Sequence, residues 1–502
     1  MTLAPDAHPR RWLMLPVVLM AMFMAGFDIW AVNVAAPSLQ RDLHVSPAAL
    51  QLIVGGYAFM YASGMVTGGR LGDLFGYRRM FLLGVASFAA ASLLCGLAQS
   101  GTELVAARLL QGLTGAAMVP QVLALITAAF PVRERSRALA WFGVTMGIAF
   151  VSGQILGGGL IEADIAGLGW RAIFLVNVPV GLAAMVAASL VVPHARAHGR
   201  PRLDPLGALG VSASLALALV PLTLGRDEGW PLWTWISLAL ALPVLGLTVG
   251  WERRLARRGG QPLLDLPLFA ERAFSAGLAV NFGLVFFFAS FMFVLTLLMQ
   301  AGLGQSPLRA GIEALPMAAG FTTMSILSPR LAARFGPRAI TLGASVAALG
   351  SLALALTAAH EGARLTGWDL ALATTLIGLG QGAALPSLIG VVLAHVQPER
   401  AGAAAGILTT TQQFGAASGI AIVGAIFYGA IGTTPSRATF VSGAELAMVV
   451  NAALVAATAG VTLLLPRQAR RRAAAVPGDQ PVVVPAAAGR LGRAEGGVSP
   501  GI

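Results

Sequence analysis

The chain of 502 residues contains no lysine, so all 33 of its basic residues are arginine. A nucleotide-driven pump needs a glycine-rich loop whose lysine reaches the terminal phosphates, so that class is excluded. The single cysteine, Cys95, sits inside an apolar run, which rules out an intramolecular disulfide. His194, His198, His360 and His395 fall in loops or at predicted helix ends without the spacing of metal ligands. No metal site, resident cofactor or catalytic triad is therefore expected. Charge is scarce as well: 11% of residues are charged against 57% hydrophobic, and mean hydropathy is +0.79. A soluble domain carries about 25% charged residues, so the fold class is an all-α integral membrane protein. The net charge of +12 is spread over short loops, which is not a nucleic-acid footprint. With no loop long enough for a soluble site, an enzyme is disfavoured.

Long apolar segments are what the chain does have. They recur near 12–37, 48–69, 80–98, 103–129, 138–160, 172–192, 206–225, 232–250, 273–299, 308–328, 338–358, 367–394, 403–429 and 444–466. That makes about fourteen spans, each near the length that crosses a bilayer. Counted this way, one side holds Arg10, Arg11, Arg70, Arg78, Arg79, Arg133, Arg135, Arg137, Arg196, Arg200, Arg202, the Arg253 to Arg272 group, Arg330 to Arg338, Arg400 and the tail from Arg467 to Arg493. The other side holds only Arg41, Arg171, Arg226, Arg309, Arg364 and Arg437. The asymmetry of roughly four to one predicts both termini in the cytoplasm.

An internal repeat is visible. Pro329 to Arg338 echoes Gly69 to Arg78, Gln381-Gly382 echoes Gln111-Gly112, and Pro398 to Arg400 echoes the turn from Pro131 to Arg135. Two related six-helix bundles explain these echoes. The expected division is a cytoplasmic N-terminus over 1–11, an N-terminal bundle over 12–192, and two inserted helices with a basic cytoplasmic connector over 193–272. A C-terminal bundle follows over 273–466, then a disordered tail over 467–502 that could touch anionic lipid through Arg470 to Arg472.

Several motifs fall on this frame. Gly69, Arg70, Asp73, Gly76, Arg78 and Arg79 place four charges in a predicted turn after the second span, where Asp73 can accept from an arginine or a helix N-terminus. The spacing resembles the cytoplasmic loop signature of the major facilitator superfamily. Arg108, Gln111, Gly112 and Gly115 resemble its fourth-helix motif, in which the arginine is linked to proton transfer. Asp28 and the run through Asn33 to Pro37 resemble the first-helix motif of the fourteen-helix drug:proton antiporter branch, with Trp30 where that branch usually has threonine. Gly153, Gly157 and Gly158 resemble the antiporter signature of the fifth helix, with Gln154 in place of its usual proline. The run from Trp170 to Gly181 resembles the start of the sixth helix in the same branch.

Asp28 lies about 24 Å along the first helix, where a carboxylate must be paired, face a cavity or snorkel to water. We expect it to pair with Arg108, whose alternative is to bond backbone carbonyls. Glu313 is the second acid inside a span; it either joins Asp28 in proton coupling and substrate binding or pairs with Arg309 one turn earlier. Asn33, Gln111, Gln154, Gln412 and Phe414 are further candidates for substrate contact, Gly153, Gly157 and Gly158 for tight helix packing, and Gly69 to Arg79 for a conformational latch. Because Ala333 stands where the first copy has Asp73, that latch should belong to the N-terminal bundle alone. The resemblance implies proton-coupled efflux of cationic or amphipathic drugs by alternating access, driven by the proton gradient. Export of an endogenous natural product, siderophore or lipid stays open, and a passive channel is a distant third. The expected partners are small molecules, protons and membrane lipid, with no nucleic acid. Arginine-only usage suggests a GC-rich bacterial genome. The expected form is a monomer, multi-pass in the bacterial inner membrane.

Overall fold

The structure, a computed structural model, describes residues 10–193, 204–225, 228–260, 266–394 and 401–465. The Pro398 to Arg400 echo, the histidines at 194, 198 and 395, and the tail lie outside the described residues. So do most of the N-terminus and parts of the connector. Among the described residues there is no strand. A chain surrounded by hydrocarbon must satisfy its own backbone, and helices do so within each segment.

The spans are α1 (Arg11–Asp42), α2 (Pro47–Phe75), α3 (Tyr77–Leu97), α4 (Gly101–Ala129), α5 (Val132–Glu162) and α6 (Gly169–Val191). Then come α7 (Pro205–Leu224), α8 (Leu232–Arg257), α9 (Arg272–Gly302), α10 (Pro307–Glu313 with Leu315–Phe335), α11 (Arg338–Glu361), α12 (Ala371–Ala394), α13 (Ala401–Ile431) and α14 (Arg437–Thr462). Among the described residues, thirteen single helices are long and apolar enough to cross a membrane, and the bent pair in α10, taken as one span, makes fourteen. Ser46, Ser100, Ser306 and Ser436 cap α2, α4, α10 and α14 by accepting from backbone N–H groups. All four caps sit at the end of the molecule away from Arg11 and Thr462.

Two expected boundaries change. The segment from Gly69 to Phe75 is not a turn, because α2 continues through it and only Gly76, at φ 95°, breaks the chain before α3. That left-handed conformation suits glycine. The span near 308–328 is broken by 43° around Ala314, because Pro316 cannot donate the helical hydrogen bond that would carry it straight through.

The packing repeats itself. α2 and α3 lie on α4, α1 on α5, and α3 on α6; correspondingly α10 and α11 lie on α12, α9 on α13, and α11 on α14. In the hairpin of α7 and α8, α7 rests on α2 and α13 and α8 packs on α7. The halves meet through α2 with α13, α5 with α10, and α1 with α9.

This contact is concentrated at the end away from the termini. There Gln300 donates to the carbonyl of Val34 at 2.8 Å and the Tyr428 hydroxyl to Gln40 at 3.1 Å. A Cβ added at Gly158 would sit 2.7 Å from the Pro307 carbonyl oxygen, and one at Gly311 2.7 Å from that of Gln154. Three turns earlier on the same face of α5, a Cβ at Gly147 would meet nothing within 4 Å, and Thr322, three turns beyond Gly311 on α10, is exposed. The halves are thus sealed at the far end and parted at the end that carries both termini.

Candidate functional site

The polar centre lies inside the N-terminal half, where α1, α2, α3 and α4 converge. Asp28 and Arg108 are each 1% exposed and form an ion pair, Arg108 Nη1 donating to Asp28 Oδ2 at 2.5 Å. Gln111, one turn after Arg108, donates to the other Asp28 oxygen at 2.8 Å and to Ser92 Oγ at 2.8 Å. Its own carbonyl accepts from Arg108 Nη1, and from Cys95 Sγ at 3.5 Å. Arg108 Nε donates to the carbonyl of Ile53 at 3.0 Å. The guanidinium carbon also lies 4.6 Å from the ring centre of Tyr57 and 5.7 Å from that of Phe174, within cation–π range. So Arg108 takes both expected alternatives at once, the carboxylate and a backbone carbonyl.

While Asp28 is ionised, the pair is internally neutral. If Asp28 becomes neutral, Arg108 keeps a carbonyl, an amide oxygen and two ring faces. Asp28 and Gln111 were also expected to touch substrate. In this conformation they cannot, because both carboxylate oxygens are taken by α4 side chains and Gln111 is fully buried. Ser92, Cys95 and Tyr57 were missed by the sequence reading. Their only signal is that Ser92 and Cys95 fall on one face of α3, and Tyr57 one turn after Ile53 on α2.

Glu313 belongs elsewhere. It ends the short first piece of α10, accepting from Arg309 Nε at 3.0 Å and Gln305 Nε2 at 2.7 Å, and packs beside Gly367. The structure therefore favours the pair with Arg309 over a shared role with Asp28. Asn33 donates to Ile29 in its own helix, and Gln412 donates to Asn281, which in turn holds the Leu408 carbonyl. Phe414 packs on Phe282.

The glycines of α5 make two different contacts. An added Cβ at Gly153 would fall 2.5 Å from Trp30 Cβ, and at Gly157 3.0 Å from Ala31 Cβ, so both hold α5 on α1. Gly158 instead meets the opposite half at Pro307. Gln154, where the signature usually has proline, is 6% exposed and its Nε2 has no partner.

At the near end, Asp73 accepts from the Tyr77 hydroxyl at 2.7 Å, across the Gly76 break. Arg78 donates to the carbonyl of Ser189 at 2.5 Å, near the C-terminus of α6, where a cation is favoured. Gly68 and Gly72, and not Gly69, are the close-packed glycines. An added Cβ at Gly68 would lie 2.1 Å from the Ala116 carbonyl oxygen, and at Gly72 1.9 Å from Gln121 Oε1, whereas Gly69 has 3.8 Å to Pro120. Gln121 clamps this approach by donating to the Gly68 carbonyl at 2.8 Å. Beside α5, Arg11 bridges Glu134 at 2.8 Å, and this hydrogen bond holds the Glu134 carboxyl below its ordinary range. Trp170 is buried under Arg171, which donates to the Ala98 carbonyl at 3.1 Å and so ties α6 to α3. That segment is structural.

Comparison with known proteins gives a consistent result. The Major Facilitator Superfamily description matches residues 18–420 and 280–493. The probable actinorhodin transporter of Streptomyces coelicolor is 40% identical over 457 residues, covering 90% of this chain and 78% of that protein. The tetracenomycin C resistance and export protein of Streptomyces glaucescens is 33% identical, covering 86% and 78%. The drug efflux pump JefA of Mycobacterium tuberculosis is 32% identical, covering 83% and 80%. Among solved structures, a bacterial homologue of the human lysosomal transporter Spinster superposes with a TM-score of 0.68 at 17% identity, over 92% of this chain and 98% of its own, which shows a common fold. The chain belongs to the major facilitator superfamily, in its drug-efflux branch, and is a multi-pass bacterial membrane transporter, not an enzyme.

Proposed function

We propose that this protein exports small amphipathic or cationic molecules in exchange for protons, by alternating access between its two halves. The observation that carries the reading is the buried Asp28–Arg108 pair. A carboxylate and a guanidinium taken this far from water are costly to a membrane protein and are retained where charge must change. With the termini in the cytoplasm, as the arginine asymmetry indicates, the parted end faces the cell interior and loads substrate there. A proton arriving at Asp28 removes the attraction that holds α1 to α4, and the rearrangement is passed to the interface along α1. Asp73, Arg78 and Arg79 then serve the opposite state, in which the near end closes and α2 and α3 meet the other half. The boundaries proposed for the bundles are those at 192 and 273, with α7 and α8 between them.

The names of the relatives also favour a second reading of the cargo. Actinorhodin and tetracenomycin C are named as what two of them handle, so an endogenous product is a natural candidate here too. Efflux from proteoliposomes under an imposed pH gradient tests both. A cationic dye and an uncharged natural product are compared in the parent, Asp28→Asn and Glu313→Gln. Gradient-driven efflux that disappears in Asp28→Asn and persists in Glu313→Gln is the expected result. Efflux indifferent to the gradient in the parent overturns the exchange mechanism.

A further inference from the structure

Four aromatic rings meet where the two halves part. Trp30 of α1 and Phe150 of α5 come from one half, Phe288 of α9 and Phe321 of α10 from the other. Their ring centres lie 4.7 Å (Trp30–Phe150), 5.7 Å (Trp30–Phe288), 6.0 Å (Phe150–Phe321) and 6.0 Å (Phe288–Phe321) apart. Beyond them the halves are sealed by Gly158 against Pro307; before them the interface is open at Gly147 and Thr322. The rings are thus the roof of the parted space. Phe150 and Phe288 are buried, while Trp30 and Phe321 are only half-buried, so these two keep surface that the other rings do not cover.

One turn beyond Phe150 stands Gln154, more than nine-tenths buried, with an amide nitrogen that no protein group satisfies. A buried, unpaired amide is costly to the fold, and a ligand can relieve that cost. The void it shares with Phe150, Gly311 and Met317 is too tight for more than a water in this conformation, so a ligand must first bind below it. The roof must also come apart whenever the halves exchange which end is sealed. A flat ring inserted there replaces the ring–ring contacts being lost, and so favours the switch only when cargo is present.

We infer that Trp30, Phe321 and Gln154 form a binding site for a flat, fused-ring aromatic molecule that carries a carbonyl or hydroxyl on its edge. The rings stack on Trp30 and Phe321, and the amide meets the polar edge with either its donor or its acceptor. The inference deepens the export reading and rests on it for the cargo's route. Trp30, which departs from the family's usual threonine, becomes a specificity-determining residue.

The test is equilibrium binding to the full-length protein in nanodiscs, with no gradient applied, using the fluorescence anisotropy of two probes. Acridone has a fused ring with a carbonyl; anthracene has the ring alone. Trp30→Leu and Phe321→Leu should each weaken both probes by about tenfold, the loss of a stacking contact. Gln154→Leu should weaken acridone by about tenfold and leave anthracene unchanged. Phe321→Tyr, which keeps the ring, should bind like the parent and so separates lost stacking from lost folding. Parent-like acridone binding in both leucine variants overturns the site, as does an equal effect of Gln154→Leu on the two probes. Gradient-driven efflux of tetraphenylphosphonium without acridone binding overturns this inference and spares the export reading. Acridone binding without gradient-driven efflux of any substrate does the reverse.

Discussion

Neutralising Asp28 without changing its shape is the most direct perturbation of the polar centre. In Asp28→Asn, Arg108 loses its only anionic partner within the described centre but keeps the Ile53 carbonyl at 3.0 Å, the Gln111 carbonyl and the Tyr57 ring at 4.6 Å. Breaking a buried pair costs about 3–5 kcal/mol. The remaining acceptors, together with a cation–π contact of about 0.5–2 kcal/mol, place this variant at the lower limit, about 3 kcal/mol. Arg108→Ala belongs at the upper limit, about 5 kcal/mol, because Asp28 then keeps only the Gln111 amide and a cavity is added. Removing both charges in Asp28→Asn with Arg108→Ala should cost clearly less than the two single losses added together, since no uncompensated charge is left. Unfolding free energies in bicelles, titrated with a denaturing detergent, measure all four corners of the cycle. Strictly additive losses, or single variants as stable as the parent, would refute the idea that each charge exists to neutralise the other.

The remaining predictions follow from close approaches and one exposed ion pair. Gly158→Leu forces α5 from the Pro307 backbone, which even an added Cβ would approach to 2.7 Å, and should shift the protein towards the state opened at the far end, read as increased labelling of a cysteine placed at Val34, buried at the sealed end; unchanged labelling counts against the seal. Gly68→Ala must displace the Ala116 carbonyl at 2.1 Å and should lose about 1–3 kcal/mol, whereas Gly69→Ala, with 3.8 Å to its nearest neighbour, should be nearly neutral in the same unfolding assay. Arg11 holds Glu134 below its ordinary range, so the bridge contributes above the unfolded carboxylate range and is lost as pH falls through the lowered folded value. The thermal-stability difference between parent and Glu134→Gln should therefore persist at neutral pH and vanish only in strong acid.

Much of this was legible because lipid imposes simple rules. Spans are visible as apolar runs, and a buried carboxylate and guanidinium at similar depth have few options except each other, which is why Asp28 and Arg108 could be paired from sequence. The illegible parts are those where composition carries no depth or direction. Tyr57, Ser92 and Cys95 look like ordinary helix residues, and only the meeting of α2, α3 and α4 brings them to the guanidinium and the amide. Arg70 and Asp73 look like loop residues because charge marks a membrane boundary, yet α2 carries them as helix to Phe75. Glu313 looked comparable to Asp28 because a hydropathy run does not reveal that Pro316 breaks α10 and leaves the acid at the end of a short helix.

The distance between the polar centre and the aromatic roof sets the form that coupling must take. Asp28 faces α4, and Trp30, two residues later and about 200° around the same helix, faces α5 and α9. A proton and a cargo molecule therefore need not compete for one carboxylate. They act on opposite faces of one rigid turn of α1, which Gly153 and Gly157 let α5 grip without intervening side chains. Loosening the Asp28 face frees that turn to move; separating the Trp30 face requires it to move. Both events bias the same element, which is the physical requirement for linkage between two sites. Direct competition would make cargo positively charged by necessity. Under the proposed proton exchange, coupling through α1 would remove that requirement and admit neutral aromatic cargo.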